Sequence, residues 1–164
     1  MLTAMKYSVK EILDIAIGIE ETGYEFYTRC AVLFKDAGMR DVFDFLAREE
    51  QEHKKIFQSL IGSDEPDGLF TEEYFAYLKA IGGARIFENK AADIGRVVAG
   101  IADPVDAVKH AFGTEKESIL FYDEMKRLFE NDRKTAALLD RIIEEERKHV
   151  ALLLDLLEKI RLSS

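Results

Sequence analysis

The chain has 164 residues, a formal net charge of -9 at pH 7 and one cysteine, Cys30. This length suits one domain over residues 1–164, and the surplus of acids argues against a nucleic-acid partner, which would require a basic face. One cysteine allows neither an internal disulfide nor a Cys-x-x-Cys site, so we expect a reducing, cytoplasmic location. No apolar run reaches the roughly 20 residues of a membrane span, so no membrane association is expected.

Capping signals and apolar spacing predict the helices of the first half. Ser8 followed by Glu11 is a capping box, and the helical apolar period after it predicts a first long helix ending near Phe34. A second long helix is predicted over residues 38–61 and a short one over residues 71–81.

The second half predicts two more long helices. Residues 84–100 form a connector, and we expect extended chain with a short helical turn there. Asp103 before Pro104 is a strong start for a third long helix ending near Phe129, and a fourth is predicted over residues 132–160. Short connections within each pair predict antiparallel hairpins, and the long connection between the second and third helices predicts a crossover. We therefore expect an all-α four-helix bundle.

The two halves contain an internal repeat. The segment AIGIEETGYEFY at 16–27 aligns with AFGTEKESILFY at 111–122, at an offset of 95 residues. At an offset of 96, REEQEHKK at 48–55 aligns with EEERKHVA at 144–151. The halves therefore look like copies of one helical hairpin.

Each long helix interrupts its inward apolar seam with a glutamate, and the second and fourth add a histidine one turn later. These candidate ligands are Glu20, Glu50, His53, Glu115, Glu146 and His149. Each glutamate lies about 12 to 14 residues from its helix start, or roughly 18 to 21 Å along the bundle. All four should therefore meet at one level.

Four buried carboxylates require positive charge, since an isolated buried carboxylate costs several kcal/mol. The seams offer no lysine or arginine at that level, whereas two divalent ions would balance the charge. Carboxylates with one imidazole per ion and no thiolate favour two Fe(II) ions, with manganese or zinc as substitutes. The sequence therefore predicts a di-iron centre.

Almost the whole chain resembles the rubrerythrin-like branch of the ferritin-like di-iron superfamily. The segments IEETGYEFY, REEQEH, TEKESILFY and EEERKH carry the resemblance. It implies a ferritin-like bundle in which Glu50 and Glu146 bridge the two ions. Glu20 and Glu115 would then be terminal ligands, with one histidine on each ion.

Three departures from this family pattern change the expected chemistry. Ser118 stands where rubrerythrins usually carry another metal-binding glutamate, which makes the ligand set closer to that of bacterioferritin. Gln51 replaces the methionine that binds haem in bacterioferritins, so no haem is expected. The chain also lacks a four-cysteine rubredoxin site, so electrons would come from an external rubredoxin-like or flavin protein.

The resemblance implies a redox enzyme that reduces hydrogen peroxide or, less favoured, dioxygen, with all six ligands acting through the metal centre. Two alternatives remain open: a ferroxidase that handles iron, and an interaction domain in which the metals are structural. We expect a homodimer rather than a storage shell.

Five other residues deserve separate predictions. Tyr27 and Tyr122 are either core aromatics or hydrogen-bond donors to a ligand carboxylate, with an auxiliary catalytic role. Glu49 and Glu145 either orient a histidine ring or form exposed salt bridges. His110 breaks the repeat and lies off the ligand level, so it should not bind metal.

Overall fold

Six α-helices appear in a computed structural model that describes residues 7–62, 69–82 and 90–163. In chain order they are α1 Val9–Leu33, α2 Ala37–Leu60, α3 Glu72–Ile81, α4 Lys90–Ala99, α5 Pro104–Lys126 and α6 Arg133–Leu162. A short 3-10 helix, Arg127–Phe129, follows α5. Strands β1 (Tyr7–Ser8) and β2 (Leu69–Phe70) form one antiparallel pair, with Tyr7 opposite Phe70.

The four long helices, α1, α2, α5 and α6, form a bundle of two hairpins. Helix α1 packs mainly on α2, and α5 packs mainly on α6. The connection from α2 to α5 is long and contains α3 and α4, and both of these shorter helices pack against α1. The predicted all-α bundle with a long crossover is confirmed.

The helix starts follow from local capping. The Ser8 side chain accepts from the Glu11 backbone, and the Glu11 carboxylate accepts from the Ser8 backbone, which completes the predicted capping box. Asp103 caps α5 ahead of Pro104, also as predicted. Asp132 accepts backbone hydrogen bonds at the start of α6.

The expectation of extended chain with a short turn over residues 84–100 was wrong where the structure describes this stretch. Helix α4 occupies Lys90–Ala99, and residues 83–89 lie outside the described part of the chain. Ile94 is buried, and Val97 and Val98 pack against the core beside it. Ile94, Val97 and Val98 recur at helical spacing, and their burial against the rest of the fold stabilises this helix.

The core consists of two apolar clusters separated by a polar layer. One cluster includes Leu13, Phe57, Phe121 and Leu139, and the other includes Phe43 and further residues from all four long helices. Along each long helix, the buried glutamate falls between residues of the two clusters. The polar layer is therefore enclosed at both ends by apolar side chains.

Among the described residues, none of the helices combines the length and the hydropathy needed to cross a bilayer.

Candidate metal centre

The polar layer contains all six candidate ligands, none of them more than 2 % exposed. They are Glu20 on α1, Glu50 and His53 on α2, Glu115 on α5, and Glu146 and His149 on α6. The alternating steps of three and four residues that predicted inward-facing positions therefore bring side chains from four helices to one place.

The six side chains divide into two groups of four that share two glutamates. The His53 position consists of Glu20, Glu50, His53 and Glu146; the His149 position consists of Glu50, Glu115, Glu146 and His149. Within each group, the potential ligand atoms all lie within 4.8 Å of one another. Glu50 and Glu146 therefore lie where carboxylates would bridge two ions, and each position has its own histidine.

Many polar atoms of the cluster have no hydrogen-bond partner, although they are buried. They include carboxylate oxygens of all four glutamates and Nδ1 of both histidines. No lysine or arginine is among the buried charged residues of the described chain. Because burying such groups without partners is costly, their shared direction fits a pair of bound cations.

Without metal, glutamates and histidines of the cluster bind protons more tightly than they would in water. Burial and repulsion by the neighbouring carboxylates raise the pKa of Glu50 and of Glu115 well above the usual value. Burial lowers the pKa of both histidines, but the close carboxylates of the glutamates outweigh it and raise the pKa to about 11 for His53 and about 10 for His149. Metal binding would therefore displace protons from both imidazoles.

Two tyrosines donate hydrogen bonds to candidate ligands on the other hairpin of the bundle. The Tyr27 hydroxyl on α1 donates to Glu115 on α5, and the Tyr122 hydroxyl on α5 donates to Glu20 on α1. Both tyrosines are fully buried, and burial raises the pKa of each phenol well above 10.0. Each phenol therefore stays a donor, and it occupies one oxygen of a terminal glutamate while the other oxygen faces the cluster.

Only one of the two candidate orienting acids contacts a histidine ring. Glu145 lies 3.0 Å from Nε2 of His53, and Arg141 donates to the other oxygen of Glu145. Nε2 of His149 has no hydrogen-bond partner among the described residues, so Glu49 does not orient that ring. Arg141 was missed at the sequence level, although its spacing of four residues from Glu145 was the available signal.

Three other residues belong to neither group of four: His110, Ser118 and Cys30. His110 is exposed, with its ring 6.3 Å from that of Phe26, and it belongs to neither group of ligands. Ser118 is buried, and its hydroxyl donates to the Thr114 carbonyl. Cys30 is buried among apolar residues, and this burial raises the pKa of its thiol to about 12.

Gly23 leaves the space that the Glu50 carboxylate occupies. A Cβ atom at Gly23 would lie 2.6 Å from Oε2 of Glu50, so Gly23→Ala should displace this shared ligand and weaken the binding of both ions by about tenfold or more. Gly113→Ala is the matched control, because a Cβ there meets nothing within 4 Å. We expect that control to raise the free energy of unfolding by about 0.5–1 kcal/mol, because alanine favours the helix over glycine.

Isothermal titration with Mn(II) and thermal unfolding would measure both glycine variants. Unchanged metal affinity in Gly23→Ala would show that Glu50 binds equally well in another rotamer. Weakened metal binding in Gly113→Ala would show that the loss does not depend on the space beside Glu50.

Comparisons with known proteins agree with this architecture. Residues 11–91 match the Rubrerythrin family, and residues 70–163 match the Ferritin-like domain family. A solved structure from Thermotoga maritima, described as a ferritin-like diiron-carboxylate protein, superposes with a TM-score of 0.72. That alignment covers 94% of this chain and 97% of the other at 22% sequence identity, a level that shows the fold alone. No curated protein matches the sequence significantly.

Proposed function

The chain belongs to the ferritin-like family, and on that premise we propose that its buried cluster is a di-iron centre that reduces hydrogen peroxide. The observation that carries the proposal is the pair of four-residue groups sharing Glu50 and Glu146. Six side chains on two ions leave coordination positions for an oxidant, whereas a closed structural site would use every position.

The charges and ligand types of the cluster suit iron. Four carboxylates balance two divalent ions, and one neutral imidazole per ion adds a nitrogen ligand without adding charge. When bound, two ferrous ions supply the two electrons that, with two protons, convert one hydrogen peroxide molecule to two water molecules. Manganese or zinc could occupy the same ligands, but zinc would supply no electrons.

The chain itself orients the ligands and keeps bulk water away. Tyr27 and Tyr122 each hold one oxygen of a terminal carboxylate, which leaves the second oxygen for an ion. Glu145 holds Nε2 of His53, so that Nδ1 of His53 faces Glu146 at 2.8 Å. The two apolar clusters enclose this layer at both ends and limit the entry of water along the bundle.

Electrons for repeated turnover would come from another protein. Cys30 is the only cysteine, so the 164 residues contain no rubredoxin-type iron site to deliver them. A rubredoxin-like or flavin protein is the donor that we propose, with the protein acting as a homodimer in the cytoplasm.

Addition of hydrogen peroxide to the anaerobic, ferrous protein tests the proposed reaction. Iron should oxidise rapidly, with about one peroxide consumed per pair of ions, because each peroxide accepts two electrons. Optical absorption in a stopped-flow instrument would follow the reaction, with free ferrous ion in the same buffer as the control. Oxidation no faster than that of free ion would reject the peroxidase function.

A ferroxidase function is the second candidate, and Ser118 favours it. A serine supplies no further carboxylate to the centre, and its hydroxyl donates to a backbone carbonyl, so the ligand set is closer to that of bacterioferritin than to that of rubrerythrins. If dioxygen oxidised the ferrous protein faster than peroxide did, and the oxidised iron then left the centre, iron handling would replace peroxide reduction as the function. A native mass near that of a dimer would exclude a storage shell.

A further inference from the structure

The two metal positions differ in how their histidine rings are held. Nε2 of His53 meets Glu145 at 3.0 Å, and Nε of Arg141 meets the other oxygen of Glu145 at 3.0 Å. For His149, Nδ1 lies 3.3 Å from Glu146, but Nε2 is buried without a partner among the described residues. The His53 ring is therefore held by a hydrogen bond at its outer nitrogen, and the His149 ring has no hydrogen bond at that nitrogen among the described residues.

One position of the internal repeat explains this difference. At the offset of 96 residues, Glu49 corresponds to Glu145, but the residue corresponding to Arg141 is Phe45. A phenyl ring cannot donate to Glu49 as Arg141 donates to Glu145. Instead, the Phe45 ring lies edge-on against His149, with centroids 6.1 Å apart and planes at 87°. Beside His149, an apolar contact with Phe45 therefore stands where His53 has hydrogen bonds through Glu145 to Arg141.

The same replacement changes access to the centre. Phe45 is 39% exposed, whereas His149 beneath it is 2% exposed. Rotation of a partly exposed aromatic side chain costs little and breaks no hydrogen bond. On the other side, the His53 ring could turn only by breaking its hydrogen bond to Glu145, whose carboxylate is held in place by Arg141.

The ion pair between Arg141 and Glu145 orients the Glu145 carboxylate and adds little to the free energy of folding. The Arg141 side chain is 66% exposed, and a solvent-exposed ion pair contributes little net free energy. A carboxylate bonded to the outer nitrogen of a metal-binding histidine instead fixes the ring and its tautomer, and losing it typically weakens metal binding about 10- to 100-fold. Glu145 is therefore a positioning residue for the His53 position.

We propose that the two metal positions are inequivalent: the His53 position retains its ion, and the His149 position, covered by Phe45, exchanges its ion with solution. This inference rests on the proposed di-iron function. It adds an order of loading and release: the first ion enters the His53 position, and the second enters and leaves beside Phe45.

Titration of the metal-free protein with Co(II) under anaerobic conditions tests the order of binding. Visible absorption should rise in two steps, with the first ion bound at least about tenfold more tightly than the second. His53→Ala should remove the tight step, and His149→Ala should remove the weak one. One class of two equal sites would overturn the inference, whereas failure to bind two ions at all would reject the proposed function instead.

Glu145→Ala should weaken the first step by about tenfold or more and leave the second within about twofold. Glu144→Ala is the control on the same helix, because Glu144 is exposed, pairs with Arg147 and belongs to neither metal position, and it should alter neither step. Glu145→Gln keeps an acceptor for Nε2 and should restore part of the affinity and the wild-type Co(II) spectrum. Equal effects of Glu145→Ala and Glu144→Ala would contradict a positioning role, and circular dichroism would verify that each variant folds.

Release of the ions tests the role of Phe45. An excess of chelator should remove Co(II) from the loaded protein in two phases, and Phe45→Ala should accelerate the fast phase several-fold without changing the slow one. Leu120→Ala is the control, because Leu120 is also a large exposed apolar residue. Acceleration of both phases, or of neither, would show that Phe45 does not cover one particular position.

Discussion

Replacement of Glu146 by alanine is expected to abolish the binding of both metal ions. Glu146 belongs to both groups of ligands, and its side chain lies 2.8 Å from Nδ1 of His53 and 3.3 Å from Nδ1 of His149. Losing one partner of a buried ionic contact costs about 3 kcal/mol, which is more than a 100-fold loss of affinity for each ion. Elemental analysis after anaerobic loading should fall from two ions per chain to none.

Two further variants make this result specific. Glu50→Ala should have the same effect, because Glu50 is the other glutamate common to both groups. His110→Ala should keep the full metal content, because His110 is exposed and belongs to neither group. If Glu146→Ala retained one tightly bound ion, Glu146 would be a ligand of one position rather than of both.

Removal of metal with a chelator is expected to lower the melting temperature by about 10 to 20 °C without unfolding the helices. An ion present at 100 times its dissociation constant stabilises the folded state by about 2.7 kcal/mol, so two ions contribute about 5 kcal/mol. For a domain of this size, each kcal/mol shifts the melting temperature by about 2–4 °C. The helices should persist because the two apolar clusters do not depend on the ions.

Thermal unfolding followed by circular dichroism at 222 nm would measure this shift. His110→Ala should show the full shift, whereas Glu146→Ala should melt at the same temperature with and without metal. Loss of most helical signal on chelation at 25 °C would instead favour metals with a structural role.

The ligand positions could be predicted from the sequence because they depend on local periodicity. Steps of three and four residues place Glu50 and His53 on one face of a helix whatever that helix packs against. The same reasoning predicted the starts of α1 and α5, since a capping side chain bonds only to the first turn of its own helix. The internal repeat then indicated that both hairpins place their glutamates and histidine at equivalent positions.

The tertiary structure decided everything that depends on how the helices are rotated and spaced against one another. It assigned Tyr27 to Glu115 and Tyr122 to Glu20, across the bundle rather than along a helix. It also buried Ile94 of α4 in the apolar cluster that contains Phe43. These contacts join residues far apart in the chain, and no local pattern records the rotation and spacing on which they depend.

The sequence by itself therefore determined which side chains face the interior and at what level, because helical periodicity is a local property. Only the tertiary structure decided that Glu145 holds His53 whereas His149 is covered by Phe45. The repeat alone suggests two equal halves, since it pairs Glu49 with Glu145. The difference emerges only when a side chain from one helix meets the ring of another, because hydrogen bonds require a distance and a direction that repeat spacing does not specify.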